Sequence, residues 1–151
     1  MVARRPFSGG SWLDPPVSGV ELELSSDSRY LVNAADGDAP FLLNGIALWS
    51  ACAQLDRDEF TELLDILDAH GVNSVRCSLV EAFFSDQTAH NGINWDGQSP
   101  WTGTKFQSSF NSAYWDEVEW KLDQLDARGK VMIAVPAYPG NGGGDEGWWL
   151  Q

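Results

Sequence analysis

The sequence predicts an α/β fold, with parallel strands alternating with helices behind a β-hairpin. Three observations carry this. Asn111 to Tyr138 reads as a helix, a glycine stop and a short unbroken apolar run. Leu55 to Val80 repeats that order. Two apolar arms flank Asp36-Gly37 upstream of both. A helix that stops at glycine and feeds an apolar run is the second half of a β-α-β unit, and two such units in series imply a parallel sheet packed against helices.

In chain order, residues 1–20 are rich in Pro, Gly and Ser and read as a flexible lead-in, with the folded domain running from 21 to 151. Glu21 to Leu24 alternates polar and apolar, as a half-exposed strand does. Tyr30-Leu31-Val32 and Phe41-Leu42-Leu43 are the expected hairpin arms around the Asp36-Gly37 turn. Ile46 to Trp49 is the expected first core strand.

Leu55 to Gly71 is the clearest helix. Asp56 followed by Glu59 has the capping-box spacing, and Leu55 and Phe60 occupy the staple positions. Phe60, Leu63, Leu64 and Leu67 form one apolar stripe, and Gly71 supplies a left-handed stop. Val72 to Val80 is the expected second core strand. The long segment from Glu81 to Phe110 has little periodicity; loops of that length in compact domains are usually functional or disordered.

The next helix carries Tyr114, Val118, Leu122 and Leu125 at helical spacing, with Trp115 beside them. Asn111 or Ser112 can cap it, and Arg128-Gly129 closes it. Val131 to Val135 is the expected third strand, buried on both faces. A Gly-rich loop and the start of another helix, Trp148-Trp149-Leu150, complete the chain.

The 151 residues suffice for one domain with a substantial core. Nine Lys and Arg against 22 Asp and Glu give a net charge of −13. Such a surface repels phosphate backbones and anionic lipid, so nucleic-acid and membrane partners are not expected. Arg4 and Arg5 are not followed by an apolar run, so no signal peptide is visible, and no stretch approaches the ~20 apolar residues of a membrane span. The compartment is not legible. Cys52 and Cys77 are far apart and lack CxxC spacing, which fits buried free thiols. His70 and His90 have no ligand-spaced companions, so neither a metal site nor a cofactor is expected. Asn141-Gly-Gly-Gly144 lacks the Gly-Lys-Ser/Thr of a phosphate loop.

In parallel α/β proteins, ligands meet the loops that follow the strands' C-terminal ends. Here those loops are 49–54, 80–110 and 138–147. Their aromatics are Trp49, Trp95, Trp101 and Tyr138, and their acids are Glu81, Asp86, Asp96, Asp145 and Glu146. Flat rings beside carboxylates suit sugars, which offer C–H faces and a rim of hydroxyls. The substrate-binding set expected from this pattern is Trp49, Arg76, Glu81, Trp101, Tyr138, Asp145 and Glu146. Each residue also has a plainer role. Trp49 can cap the core, Trp95 and Trp101 can pin their own loop, and Asp145 and Glu146 can favour the start of the next helix. Trp115 and Trp120 read as packing residues. Arg76, on a buried strand, needs a carboxylate or a ligand, and an ion pair is the favoured partner.

These pieces together resemble the N-terminal half of the apiosidase-like glycoside hydrolases. The matching stretches are R-Y-L-V-N-A-A-D-G-D-A-P-F-L-L-N-G (Arg29 to Gly45), L-D-R-D-E-F (Leu55 to Phe60), H-G-V-N-S-V-R (His70 to Arg76), N-S-A-Y-W-D-E-V-E-W (Asn111 to Trp120) and V-P-A-Y-P-G-N-G-G-G-D-E-G-W (Val135 to Trp148). They span most of the chain after Glu21, and the last is the most specific.

The resemblance implies a (β/α)8 TIM barrel of which this chain supplies the first three parallel βα units. It implies a retaining hydrolase of plant or microbial polysaccharides, whose acid and nucleophile stand ~5–5.5 Å apart. In such proteins that pair lies on later strands. A full barrel needs ~250 residues, so the pair is expected beyond Gln151 and no catalytic residue is assigned within the chain. The position after the first-strand glycine, usually acidic in such proteins, is Ile46 here.

Two other readings remain: a small carbohydrate-binding α/β domain without catalysis, and an enzyme using Asp145 or Glu146 with Glu81. A three-strand parallel sheet leaves open edges, so the remainder of a barrel or a second copy of the chain is the expected partner there, besides a carbohydrate.

Overall fold

The computed structural model describes residues 19–80, 92–103 and 109–137. It contains two three-stranded sheets. The first is antiparallel, in the order β1 (Leu22–Leu24), β2 (Leu31–Asn33), β3 (Ala39–Pro40). The second is parallel, in the order β4 (Gly45–Ala47), β5 (Ser74–Val80), β6 (Val131–Ala137). Three α-helices join the parallel strands: α1 (Ala51–Gln54), α2 (Arg57–Ala69) and α3 (Ser112–Ala127). The α/β class with a parallel sheet is as the sequence predicts.

The upstream hairpin differs in detail. Glu21 to Leu24 joins it as a third strand, and the return arm starts at Ala39 rather than Phe41. The turn explains the shift. Asn33 caps a 3-10 turn over Ala34–Asp36 by accepting from the Ala35 N–H, and Gly37 takes φ 61°. The chain therefore reverses two residues sooner, and the Phe41 N–H still reaches the Leu31 carbonyl at 2.8 Å.

Both long helices start and stop where their cap residues dictate. Asp56 and Glu59 form a reciprocal capping box at the head of α2. Asn111 caps α3 by accepting from the Ala113 N–H. Each helix ends in a Schellman turn. Gly71 (φ 66°) and Gly129 (φ 63°) take the left-handed position. The Val72 N–H returns to Leu67 O and the Lys130 N–H to Leu125 O, both at 2.9 Å.

The glycine stops deliver the chain to the N-terminal edge of the parallel sheet, which two asparagines tie together. Asn44 donates its side-chain amide to Gly71 O, and its N–H reaches Asn73 Oδ1 at 2.8 Å. Asn73 donates to Leu42 O, and its carbonyl accepts from the Val131 N–H.

The main core lies between this sheet and its helices. Phe60, Leu64 and Leu67 from α2 meet Val75 of β5 and Leu125 of α3, with Leu48, Leu55, Trp120 and Met132 around them. A second cluster joins Val80, Trp101, Tyr114 and Val118. Tyr114 is fully buried, and its hydroxyl donates to Leu79 O at 2.7 Å. Trp120 packs edge-on to Phe60 and carries the Arg57 guanidinium 4.9 Å above its ring. Trp115 donates its indole N–H to Pro100 O. Both helix tryptophans pack, as their spacing implies.

The third strand departs from expectation. Val131 to Val135 reads as buried on both faces, yet Ile133, Ala134 and Pro136 are exposed. The reason is position. β6 lies at one edge of the sheet, and the face of Ile133 carries no helix among the described residues. An apolar run records that a strand is suited to burial, and the neighbours that would bury it are not encoded in the run. The other edge strand is open as well, with Ile46 44% exposed although it shares a face with the buried Val75.

Candidate functional site

Side chains alternate across a strand, and partners in a parallel ladder point the same way. The register places Ala47, Arg76 and Ile133 in one row on the face away from the helices. Val75 and Cys77 point to the opposite face and are buried under α2 and α1. Arg76 is therefore not in a buried setting. It is exposed, and among the described residues no carboxylate pairs with it. The ion pair favoured from the sequence is replaced by an aromatic partner, with the Arg76 guanidinium carbon 4.4 Å from the centre of the Trp49 ring.

The ladder continues past β4 to hold Trp49. The Leu48 N–H donates to Arg76 O at 2.8 Å, and the Ser78 N–H donates to Trp49 O at 3.0 Å. Trp49 thus stands at the C-terminal end of the parallel sheet, fixed through its own carbonyl. A guanidinium over an indole face gains cation–π attraction and leaves its N–H edge free to donate. A flat aromatic beside a fork of donors can hold a polyhydroxylated ring: the indole packs on C–H groups and the fork meets hydroxyl oxygens.

The segment after Trp49 is a single helical turn, too short to stand by its own hydrogen bonds. Its terminal carbonyls are satisfied from outside. Lys121 of α3, fully buried, donates from Nζ to Cys52 O at 2.7 Å and to Leu55 O. The face of Phe60 lies 5.6 Å from the same Nζ. Burial pushes the Lys121 amine below its ordinary range, against the opposing pull of nearby groups led by Cys52. The Trp95 N–H donates to Ala53 O at 2.7 Å. The Cys77 thiol also approaches, 3.3 Å from the Cys52 N–H. Both cysteines are buried thiols, not joined in a disulfide. A small, wholly apolar cavity lies beside them, lined in part by Leu48, Phe60, Leu64 and Val75.

Of the expected site residues, the structure brings Trp49 and Arg76 together. Trp101 is 6% exposed and packs against Val80, Tyr114 and Val118, closing the end of β5 from its own loop. That is the pinning role open to it from the sequence. Glu81, Tyr138, Asp145 and Glu146 lie outside the described residues. Among the described residues, no cluster of three His, Cys, Asp or Glu side chains could hold a metal ion, and no helix is long and apolar enough to cross a membrane.

Sequence reasoning passed over Lys121. Its signal is its place on the helix, since it falls seven residues after Tyr114 and four before Leu125, on the stripe that faces the core. A lysine at such a position marks a carbonyl cluster beneath it.

The sequence model of the apiosidase-like catalytic domain matches residues 25–151. No curated protein matches the chain. Among solved structures, a glycoside hydrolase family 5 protein from Bacteroides vulgatus ATCC 8482 superposes with a TM-score of 0.57 at 23% identity over 76% of this chain. A second structure, described as a glycoside hydrolase, superposes with a TM-score of 0.61 at 23% identity over 78% of this chain. The likeness is one of fold. The chain spans about a quarter of the length of these two structures, 23% and 25%. The family match extends over most of the sequence, and the parallel sheet with its helices is the fold shared with these glycoside hydrolases: the chain belongs to the apiosidase-like catalytic-domain family.

Proposed function

We propose that this chain forms the first three βα units of a (β/α)8-barrel glycoside hydrolase and contributes part of its saccharide-binding rim. The observation that carries the reading is the Arg76–Trp49 stack on the helix-free face at the C-terminal end of the parallel sheet. In barrels of this kind the substrate sits at that end. Glu81 and Tyr138 follow β5 and β6 directly in the sequence, and Asp145 and Glu146 follow in the next loop. They complete the proposed set of sugar contacts.

The chemistry proposed for the whole protein is retaining hydrolysis of glycosidic bonds in plant or microbial polysaccharides. One carboxyl group protonates the leaving oxygen and the other attacks the anomeric carbon. Both are proposed to come from strands encoded beyond Gln151, and the structure's share in the fold of its neighbours, about a quarter of their length, supports this. The remaining strands would cover Ile46 and Ile133 at the two sheet edges. Those exposed edges weigh against the second reading, a self-sufficient sugar-binding domain, unless a second copy covers them.

Cleavage assays separate the readings. The purified 151-residue chain should leave aryl glycosides intact. A longer product of the same reading frame should cleave them, and changing one strand-end Glu beyond Gln151 to Gln should abolish turnover. Turnover by the 151-residue chain alone would overturn the assignment of the catalytic pair.

A further inference from the structure

The rim holds a second aromatic whose setting differs from that of every other described tryptophan. Trp95 alone among them is exposed, at 44%. Its indole N–H has no hydrogen-bond partner among the described residues, whereas that of Trp115 is bound to Pro100 O. An exposed indole on a pliant loop would mean little. This one is held at two levels.

Its backbone is fixed to the turn that follows Trp49, through the Trp95 N–H to Ala53 O bond at 2.7 Å. The loop around it is organised by Asn94, which is itself 6% exposed. The Asn94 carboxamide oxygen accepts from the N–H groups of Asp96 (3.2 Å) and Gln98 (2.8 Å). Its own N–H returns to Gln98 O at 2.9 Å, with Gly97 at φ 72° in the left-handed position that closes the turn. Farther along, Asn111, the cap of α3, donates to Ser99 O at 2.8 Å. The loop is thereby tied to α1 on one side and α3 on the other.

We propose that Trp95 is a platform for a saccharide residue outlying from the Trp49–Arg76 pair, with the neighbouring Asp96 carboxylate, exposed beside it, accepting from that residue's hydroxyls. The inference rests on the proposed saccharide reading and adds a second contact point on the bound chain, outside the Trp49–Arg76 pair. Of the loop's two tryptophans, Trp95 is the exposed one, while Trp101 is committed to the core.

The test is affinity as a function of chain length. The protein is titrated calorimetrically with xylo-, cello- and galacturono-oligosaccharides of increasing length and with the matching monosaccharides. Trp95→Ala should weaken the longest bound oligosaccharide about tenfold, as loss of a buried aromatic anchor does, and leave the monosaccharide unchanged. Trp95→Phe should retain most of the affinity. A variant-free measurement accompanies it: oxidation of Trp95 by N-bromosuccinimide, read by mass spectrometry, should be slowed by the oligosaccharide and not by the monosaccharide. Unchanged affinity at every length, or no protection of Trp95, overturns the platform and leaves the Trp49–Arg76 site standing. Failure of the wild-type protein to bind any saccharide overturns both.

Discussion

Replacing Lys121 with methionine tests how the rim is built. Methionine keeps the length of the apolar stem and removes the ammonium. Two carbonyls lose their donor, and their situations differ. The bond to Leu55 O is partly exposed, so water can replace the lysine there. The bond to Cys52 O is buried, so that oxygen is left without a partner. An orphaned buried acceptor costs about 1–3 kcal/mol. Loss of the positive group at the end of the helical turn adds about 0.3–1 kcal/mol. Relief from burying an ammonium offsets part of this. In the wild type, however, two charge-assisted bonds and the Phe60 face compensate that burial in part. The expected net loss is about 2 kcal/mol at neutral pH, or a melting shift of about 4–8 °C for a chain of this size.

The pH dependence has a definite sign. Burial holds the folded amine below its unfolded value. Between the two values the unfolded chain keeps the proton that the folded chain has released, so wild-type stability rises with pH. The gap between wild type and Lys121→Met should therefore widen as pH rises through the lowered folded value towards the ordinary lysine value of ~10.4. Urea unfolding at several pH values, with equal m-values for the two proteins, measures it. Equal or greater stability of the variant at pH 7 would show that burial of the cation outweighs its bonds, and would refute the reasoning.

Three further substitutions probe the scaffold. Leu64→Ala removes a side chain that is 1% exposed and borders the apolar cavity, and should lower the unfolding free energy by about 2–5 kcal/mol in urea melts. Asp56→Ala removes the capping box of α2 and should cost about 1 kcal/mol, read the same way. Asp68 is held below the usual carboxylate range first by its hydrogen bond from Lys130 and then by that from Arg128. Its stabilising share is therefore present above the unfolded value of ~3.9 and lost as pH falls through the folded one. Asp68→Asn should flatten the acid limb of the stability profile below about pH 4 in thermal melts.

Much of the scaffold is legible in the sequence because it is local. Asp56 with Glu59, Gly71 and Gly129 set the bounds of both long helices through contacts within a few residues. The apolar character of Val131 to Val135 names a strand but not its neighbours, so its exposed face is visible only once the sheet order β4-β5-β6 is known. The site is legible in part. Trp49 follows the first parallel strand and Arg76 lies on the second, and strand-end position brings them into view. Their stacking depends on a ladder register fixed by Asn44 and Asn73, 27 to 31 residues apart from their partners in sequence. Trp95 and Trp101 are alike in composition and loop, and only the Asn94 turn and the Val80–Tyr114 cluster decide which ring faces outward. Lys121 falls on the core-facing stripe of its helix, but the carbonyls of Cys52 and Leu55 that it serves come from a distant segment and are visible only in the fold.

The most direct measurement is a saccharide titration of the isotope-labelled protein, following the Trp49 indole and Arg76 side-chain N–H resonances. Binding at the strand ends should shift both signals together, and Arg76→Ala should abolish the shift at Trp49 without changing the melting temperature. Saccharide binding that leaves both signals unmoved, or that survives Arg76→Ala intact, would place the carbohydrate elsewhere and contradict the account.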